Sequence, residues 1–218
     1  ITLTSTYAQG SWTTTFTVDT QSYGTTTIIA HQDNIGIKAY GTLSILPNII
    51  EVTPKQGTVG TIITVRGNGY PATNLLRVEF GTTFQIQTTS SAIEGSFSTT
   101  FTIDTQPYAT TTITVYQGGI KASDTFFIKP NIILISPDHG SVGTIITLKG
   151  NGYSATQLIR IEFGTTPTIV MVSTYAQGMF STTWTIDTQP YGTTTIIAHQ
   201  GNIGLKAFGT LAIESNII

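Results

Sequence analysis

Self-similarity at a fixed spacing restricts this chain more than any other property. The string NIIEVTPKQGTVGTIITVRGNGY starting at Asn48 returns as NIILISPDHGSVGTIITLKGNGY at Asn131, 83 residues later. STTFTIDTQPYATTTIT at Ser98 returns at the same spacing as STTWTIDTQPYGTTTII at Ser181. Residues 1–46 match residues 169–214, including STYAQG and GTTTIIAHQ. The chain therefore divides into the C-terminal half of one repeat (1–46), two complete repeats (47–129 and 130–214) and the start of the next (215–218). A chain of this kind must fold as a series of like units. Each unit is long enough to bury a small core of its own.

Composition decides what those units are made of. Thr supplies about a fifth of the residues, while charged residues make up only 9%. β-Branched side chains suit a pleated, half-exposed surface, so strands are favoured over helices. Within 47–129, alternation predicts strands near 49–53, 61–66, 75–80, 84–88, 97–103, 110–115 and 125–128. Their inward residues are Ile63, Val65, Leu76, Val78, Phe80, Phe97, Phe101, Ile103, Ile113 and Val115. About seven short strands broken by Gly and Pro give an all-β chain of tandem immunoglobulin-like β-sandwich repeats of about 83–85 residues. Only Pro130 separates one repeat's last strand from the next repeat's first, so a stiff series is expected.

The blocks TPKQGTVGTIITVRGNGY (from Thr53) and SPDHGSVGTIITLKGNGY (from Ser136) resemble the front of IPT/TIG-type immunoglobulin-like repeats of prokaryotic surface and secreted proteins. The back block, G-x-FSTTFTID, resembles theirs as well. The likeness covers both complete repeats and the half repeat. It implies spacers, stalks, adhesins and fibre or coat components, with no catalytic residues to carry over.

Several constellations suggest chemistry and are better read as structure. GNGYPA (67–72) mimics a dinucleotide fingerprint, but Pro71 and a further strand follow where a phosphate-binding helix is required. Asp19, Asp104 and Asp187 recur in DTQ-x-Tyr, where a carboxylate can bond backbone N–H groups and order a turn. Tyr23, Tyr108 and Tyr191 are expected to pack at a sandwich corner. One Asp per turn is too few oxygen ligands for calcium. His31 and His199 should face outward, with Tyr116 in their place in the middle repeat. Cysteine is absent and the net charge is −2, so there is neither a thiolate site nor a footprint for nucleic acid. No apolar run is long enough to span a membrane as a helix. The expectations are no enzyme activity, no catalytic residue, no metal and no cofactor.

The expected role is the structural repeat region of an extracellular or cell-surface fibre, stalk or coat of a prokaryote. Its partners would be neighbouring repeats or copies of itself in a filament or array. The alternative is a carbohydrate-binding adhesin repeat, with Tyr70, Tyr153 and Tyr116 as exposed contacts for glycans. A third possibility is a set of accessory domains of a secreted hydrolase. Residues 1–46 lack the front strands of their sandwich and should expose an apolar face. Preceding chain or a neighbouring copy would have to cover it.

Overall fold

The computed structural model describes residues 3–33, 35–201 and 203–215, so Ser215 alone of the expected opening at 215–218 falls among them. Strands and turns account for all regular structure among the described residues. In chain order the first segment gives β1 (Gly24–Gln32) and β2 (Ile37–Ile45). The 47–129 repeat gives β3 (Asn48–Thr53), β4 (Gln56–Gly57), β5 (Ile62–Asn68), β6 (Leu75–Phe80), β7 (Thr83–Ser90), β8 (Phe97–Thr102), β9 (Thr110–Gln117) and β10 (Ile120–Ile128). The 130–214 repeat gives their counterparts β11 (Asn131–Ser136), β12 (His139–Gly140), β13 (Ile145–Asn151), β14 (Leu158–Phe163), β15 (Thr166–Ser173), β16 (Phe180–Thr185), β17 (Gly192–Gln200) and β18 (Leu205–Ile213).

Each complete repeat is a two-layer sandwich. A three-stranded sheet, β3-β5-β8 or β11-β13-β16, faces a five-stranded one, β4-β10-β9-β6-β7 or β12-β18-β17-β14-β15. The chain changes sheet at Thr53-Pro54 and at Ser136-Pro137, both cis peptides. β4 and β12 thereby join the far sheet and run parallel to its last strand. These two-residue strands leave no alternation in the sequence to read, and the reading above missed them.

Period-two alternation places the core. In β6 and β14 every second residue (Leu76, Val78, Phe80; Ile159, Ile161, Phe163) is fully buried. Ile63, Val65, Phe97, Phe101, Ile103, Ile113 and Val115 are buried with them, as expected. A separate core of Ile146, Leu148, Phe180, Trp184, Ile186 and Ile196 fills the following repeat. Edge-to-face ring pairs lie within both cores, Phe80–Phe101 at 5.7 Å and Phe163–Trp184 at 5.7 Å. Two details differ from expectation. The final strand begins at Ile120, five residues earlier than expected, because it pairs along the whole of β9. Thr114, although on the outer face, is buried and shares a 3.0 Å hydroxyl bond with Ser123 across that pair.

Candidate functional site: the clasp between repeats

The DTQ-x-Tyr turn is the most heavily bonded polar feature of each complete repeat. Gln106, itself buried, donates to Asp104 at 3.0 Å and accepts from the Thr82 backbone N–H at 3.4 Å. The Thr83 hydroxyl bonds the other Asp104 oxygen. Gln189, Asp187, Thr165 and Thr166 repeat the network. The carboxylates thus bond side chains, not the backbone N–H groups anticipated from the sequence. The effect is to tie the DTQ turn to the β6–β7 or β14–β15 turn, which fixes where the following tyrosine lies.

That tyrosine reaches the next repeat. The Tyr108 N–H donates to the Tyr153 carbonyl at 2.9 Å, and the Tyr23 N–H donates to the Tyr70 carbonyl at 3.0 Å. Tyr108 is therefore at a junction through its main chain, while its ring packs edge-on to Phe127 of its own repeat at 5.1 Å. Tyr191, at the end of the last repeat, is 81% exposed.

The receiving side explains the GNGY loop. Tyr70 and Tyr153 are fully buried, which corrects their expected place as exposed glycan contacts. Each sends its hydroxyl across the sandwich, to the Val115 carbonyl at 3.2 Å or the Ala198 carbonyl at 3.0 Å. Burial pushes both phenols well above the ordinary tyrosine range. Their own N–H groups bond the Gly95 and Gly178 carbonyls. Gly178 has φ of 72°, and a Cβ there would lie 2.0 Å from the Tyr153 oxygen and 2.8 Å from Cα of Pro107 in the preceding repeat. Gly95 stands in the same relation to Tyr70 and Ser22, at 2.2 and 2.7 Å. Both the positive φ and the closeness of two backbones demand glycine. Ring, hydroxyl, N–H and carbonyl of one residue thus join two sheets and two repeats.

The outer face of the five-stranded sheet carries the remaining candidates. Tyr116 is half-buried, beside Arg77 on one neighbouring strand and Lys121 on the other. The Arg77 guanidinium lies 3.8 Å from the Phe84 ring centroid and 5.0 Å from that of Tyr116, and bonds Glu79 at 2.5 Å. A hydrogen bond to Glu79 raises the Tyr116 phenol above its ordinary range. Phe84, 67% exposed, went unnoticed in the sequence, although an outward Arg on the neighbouring strand was the available signal. In the next repeat His199 takes the place of Tyr116. It faces outward as expected but is packed, 3.0 Å from Arg160 and 3.6 Å from Glu162. Among the described residues no group of three His, Cys, Asp or Glu side chains gathers into a metal cluster. Among the described residues there is no helix long and apolar enough to cross a membrane.

No family model matches the chain. Human fibrocystin-L is 27% identical over 142 residues, which cover 59% of this chain and 3% of that protein. The chain thus spans a small fraction of the length of that relative. Similar solved structures include the Yersinia pseudotuberculosis adhesin InvE, at TM-score 0.37 and 14% identity, covering 78% of this chain and 59% of that one. Invasin, a bacterial integrin-binding protein, gives TM-score 0.38 and 17% identity over 80% of this chain and 40% of its own.

Proposed function

We propose that this chain is a repeat section of an extracellular or cell-surface fibre, stalk or coat, with a mechanical and adhesive role and no catalytic one. In this reading residues 47–129 and 130–214 are complete IPT/TIG-type repeats, 1–46 is a half repeat, and 215–218 opens another. One observation carries it: the same backbone clasp recurs at both junctions, at 3.0 and 2.9 Å, with the same glycine against the same approaching backbone. A clasp fixed by main-chain atoms holds successive sandwiches at a set angle, which is what a spacer needs and a flexible tether lacks. The self-similar partners are other repeats of the same kind. Spin labels on exposed Thr residues of 47–129 and 130–214 should report one narrow distance distribution. Tyr108→Pro, which removes the donor N–H, should broaden it. A broad distribution in the unaltered chain would sink the reading.

Glycan binding survives as a second reading only at Tyr116, beside exposed Phe84, since Tyr70 and Tyr153 are interior. A glycan array with the intact chain and with Tyr116→Ala tests it. Saturable binding lost in the variant supports the adhesin reading.

A further inference from the structure

The back half-sandwich in the first segment has an inner face that is left half-exposed among the described residues. Trp12, Phe16 and Val18 are 45%, 50% and 45% exposed, whereas their counterparts Phe180, Trp184 and Ile186 are 1%, 7% and 1% exposed. The backbone of residues 11–19 lacks ladder partners too, and forms no strand. We propose that this face is a docking surface for one kind of partner, a front half-repeat with the pattern of residues 131–163. That partner adds a strand to each of the two open edges.

The register of the docking is already written twice in the chain. β16 pairs with β13, with Phe180 opposite Gly150 and Trp184 opposite Ile146. β17 pairs with β14, with Ile196 opposite Phe163, Ala198 opposite Ile161 and His199 opposite Arg160. β8 and β9 pair with β5 and β6 in the same way. Carried over by sequence, Trp12 takes the place opposite the partner's glycine and Phe16 that opposite its first buried Ile. Ile28, Ala30 and His31 take those opposite Phe, Ile and Arg.

Selectivity follows from the glycine. A Cβ on Gly150 would lie 2.3 Å from the Phe180 ring, and one on Gly67 would lie 2.4 Å from that of Phe97. The aromatic ring therefore rests directly on main chain, and Trp12 accepts only a partner strand with Gly at that point. Generic edge pairing does not meet this condition. A second copy of this chain does not meet it either, because both of its front halves are occupied by its own back halves. The interface is continuous in kind with the two intramolecular ones, and it is independent of the spacer reading above.

Trp12 reports on the docking. Trp184→Phe leaves it the sole tryptophan, and is mild because the Trp184 Nε1 atom is buried without a partner and Phe101 fills the counterpart position. In this background, a copy of residues 130–168 is joined ahead of residue 1. Emission from Trp12 should move to the blue and iodide quenching should fall several-fold. Amides of residues 12–17 should exchange at least ~100-fold more slowly, as ladder residues of a folded sheet do. The same extension carrying Gly→Val at the copied Gly150 should lose both effects, while amides of 130–214 confirm that the rest stays folded. Three results would each overturn the proposal. Trp12 could stay quenchable in the extended chain, the Gly→Val extension could protect it equally well, or the unextended chain could bury it by self-association as concentration rises.

Discussion

Residues 3–45 and residues 171–213 are near-copies in sequence, yet one stands without a front half and the other with it. What survives in the first is local. The YAQG turn closes with the same bonds in both, Tyr7 N–H to Ser11 O at 2.7 Å and Tyr175 N–H to Met179 O at 2.8 Å. The β1–β2 hairpin keeps the register of β17–β18, with Gly24 opposite Ile45 as Gly192 is opposite Ile213. What is missing is every strand whose sole ladder partner lies in the front half. Among the described residues, the counterparts of β15 (3–5) and of β16 (12–17) form no strand. Thr-rich, β-favouring sequence is thus permissive, and cross-strand partners decide.

The sharpest way to break this comparison is to empty the same core position in both halves. Trp184→Ala should destabilise its repeat by about 3–5 kcal/mol, the range for losing a large buried aromatic. Phe16→Ala, at the half-exposed counterpart, should change unfolding by less than ~1 kcal/mol. Urea titration of both variants checks this, and equal losses would mean that the first segment has a core of its own. Next in size is the clasp glycine. Gly178→Ala meets both an unfavourable φ and two backbones, so a loss of about 2–4 kcal/mol is expected. Gly10→Ala has the same φ but nothing within 4 Å, so only the conformational strain of about 1 kcal/mol remains. The DTQ turns separate less strongly. Gln189→Ala removes a buried group with several partners and should be destabilising by about 1–3 kcal/mol. Gln21→Ala loses a bond to Asp19 alone and should be close to neutral.

The smallest effect compares the two complete repeats at one corner. Lys55 bonds Asp124 in the first, and Asp138 bonds His139 in the second. Desolvation raises the Asp124 carboxyl, but the Lys55 bond and the Thr125 N–H outweigh it and leave the folded value below 3.8. Its contribution is present above the unfolded value and lost as pH falls through the folded one. The bond to Asp138, aided by Glu214, raises His139 above 6.5, so its contribution is full below 6.5 and lost as pH rises through the folded value. The same bond lowers Asp138, which adds an acid limb. NMR titration should show His139 with a midpoint above 6.5 that returns toward it in Asp138→Asn.

Much of the architecture was legible. The 83-residue spacing, the strand alternation and the inward sets around Leu76, Val78 and Phe80 follow from period and composition, which are local properties. Two tyrosines of the clasp were misread for a physical reason. Tyr70 and Tyr153 follow Gly-Asn-Gly in a loop, where no alternation tells inside from outside. Their direction is set by the Val115 and Ala198 carbonyls, 45 residues away. The junction bond of Tyr108 was not legible because the acceptor of its N–H, the Tyr153 carbonyl, belongs to another repeat. A site made of main-chain carbonyls and glycines leaves little trace in residue identity beyond the recurrence of Gly at fixed points.

The parallel pairing of β4 with β10, and of β12 with β18, has a consequence for a loaded chain. A segment near the start of each repeat, just after its first strand, and the repeat's last strand run side by side in the same direction, joined by bonds such as Lys129 N–H to Gly57 O at 2.8 Å and Glu214 N–H to Gly140 O at 2.9 Å. Tension applied at the two ends of a repeat pulls these segments past one another, so the bonds bear force together in shear. An antiparallel hairpin pulled at its open end would instead unzip one bond at a time. The two-residue strands, the least visible elements in the sequence, are therefore where a stretched repeat resists rupture.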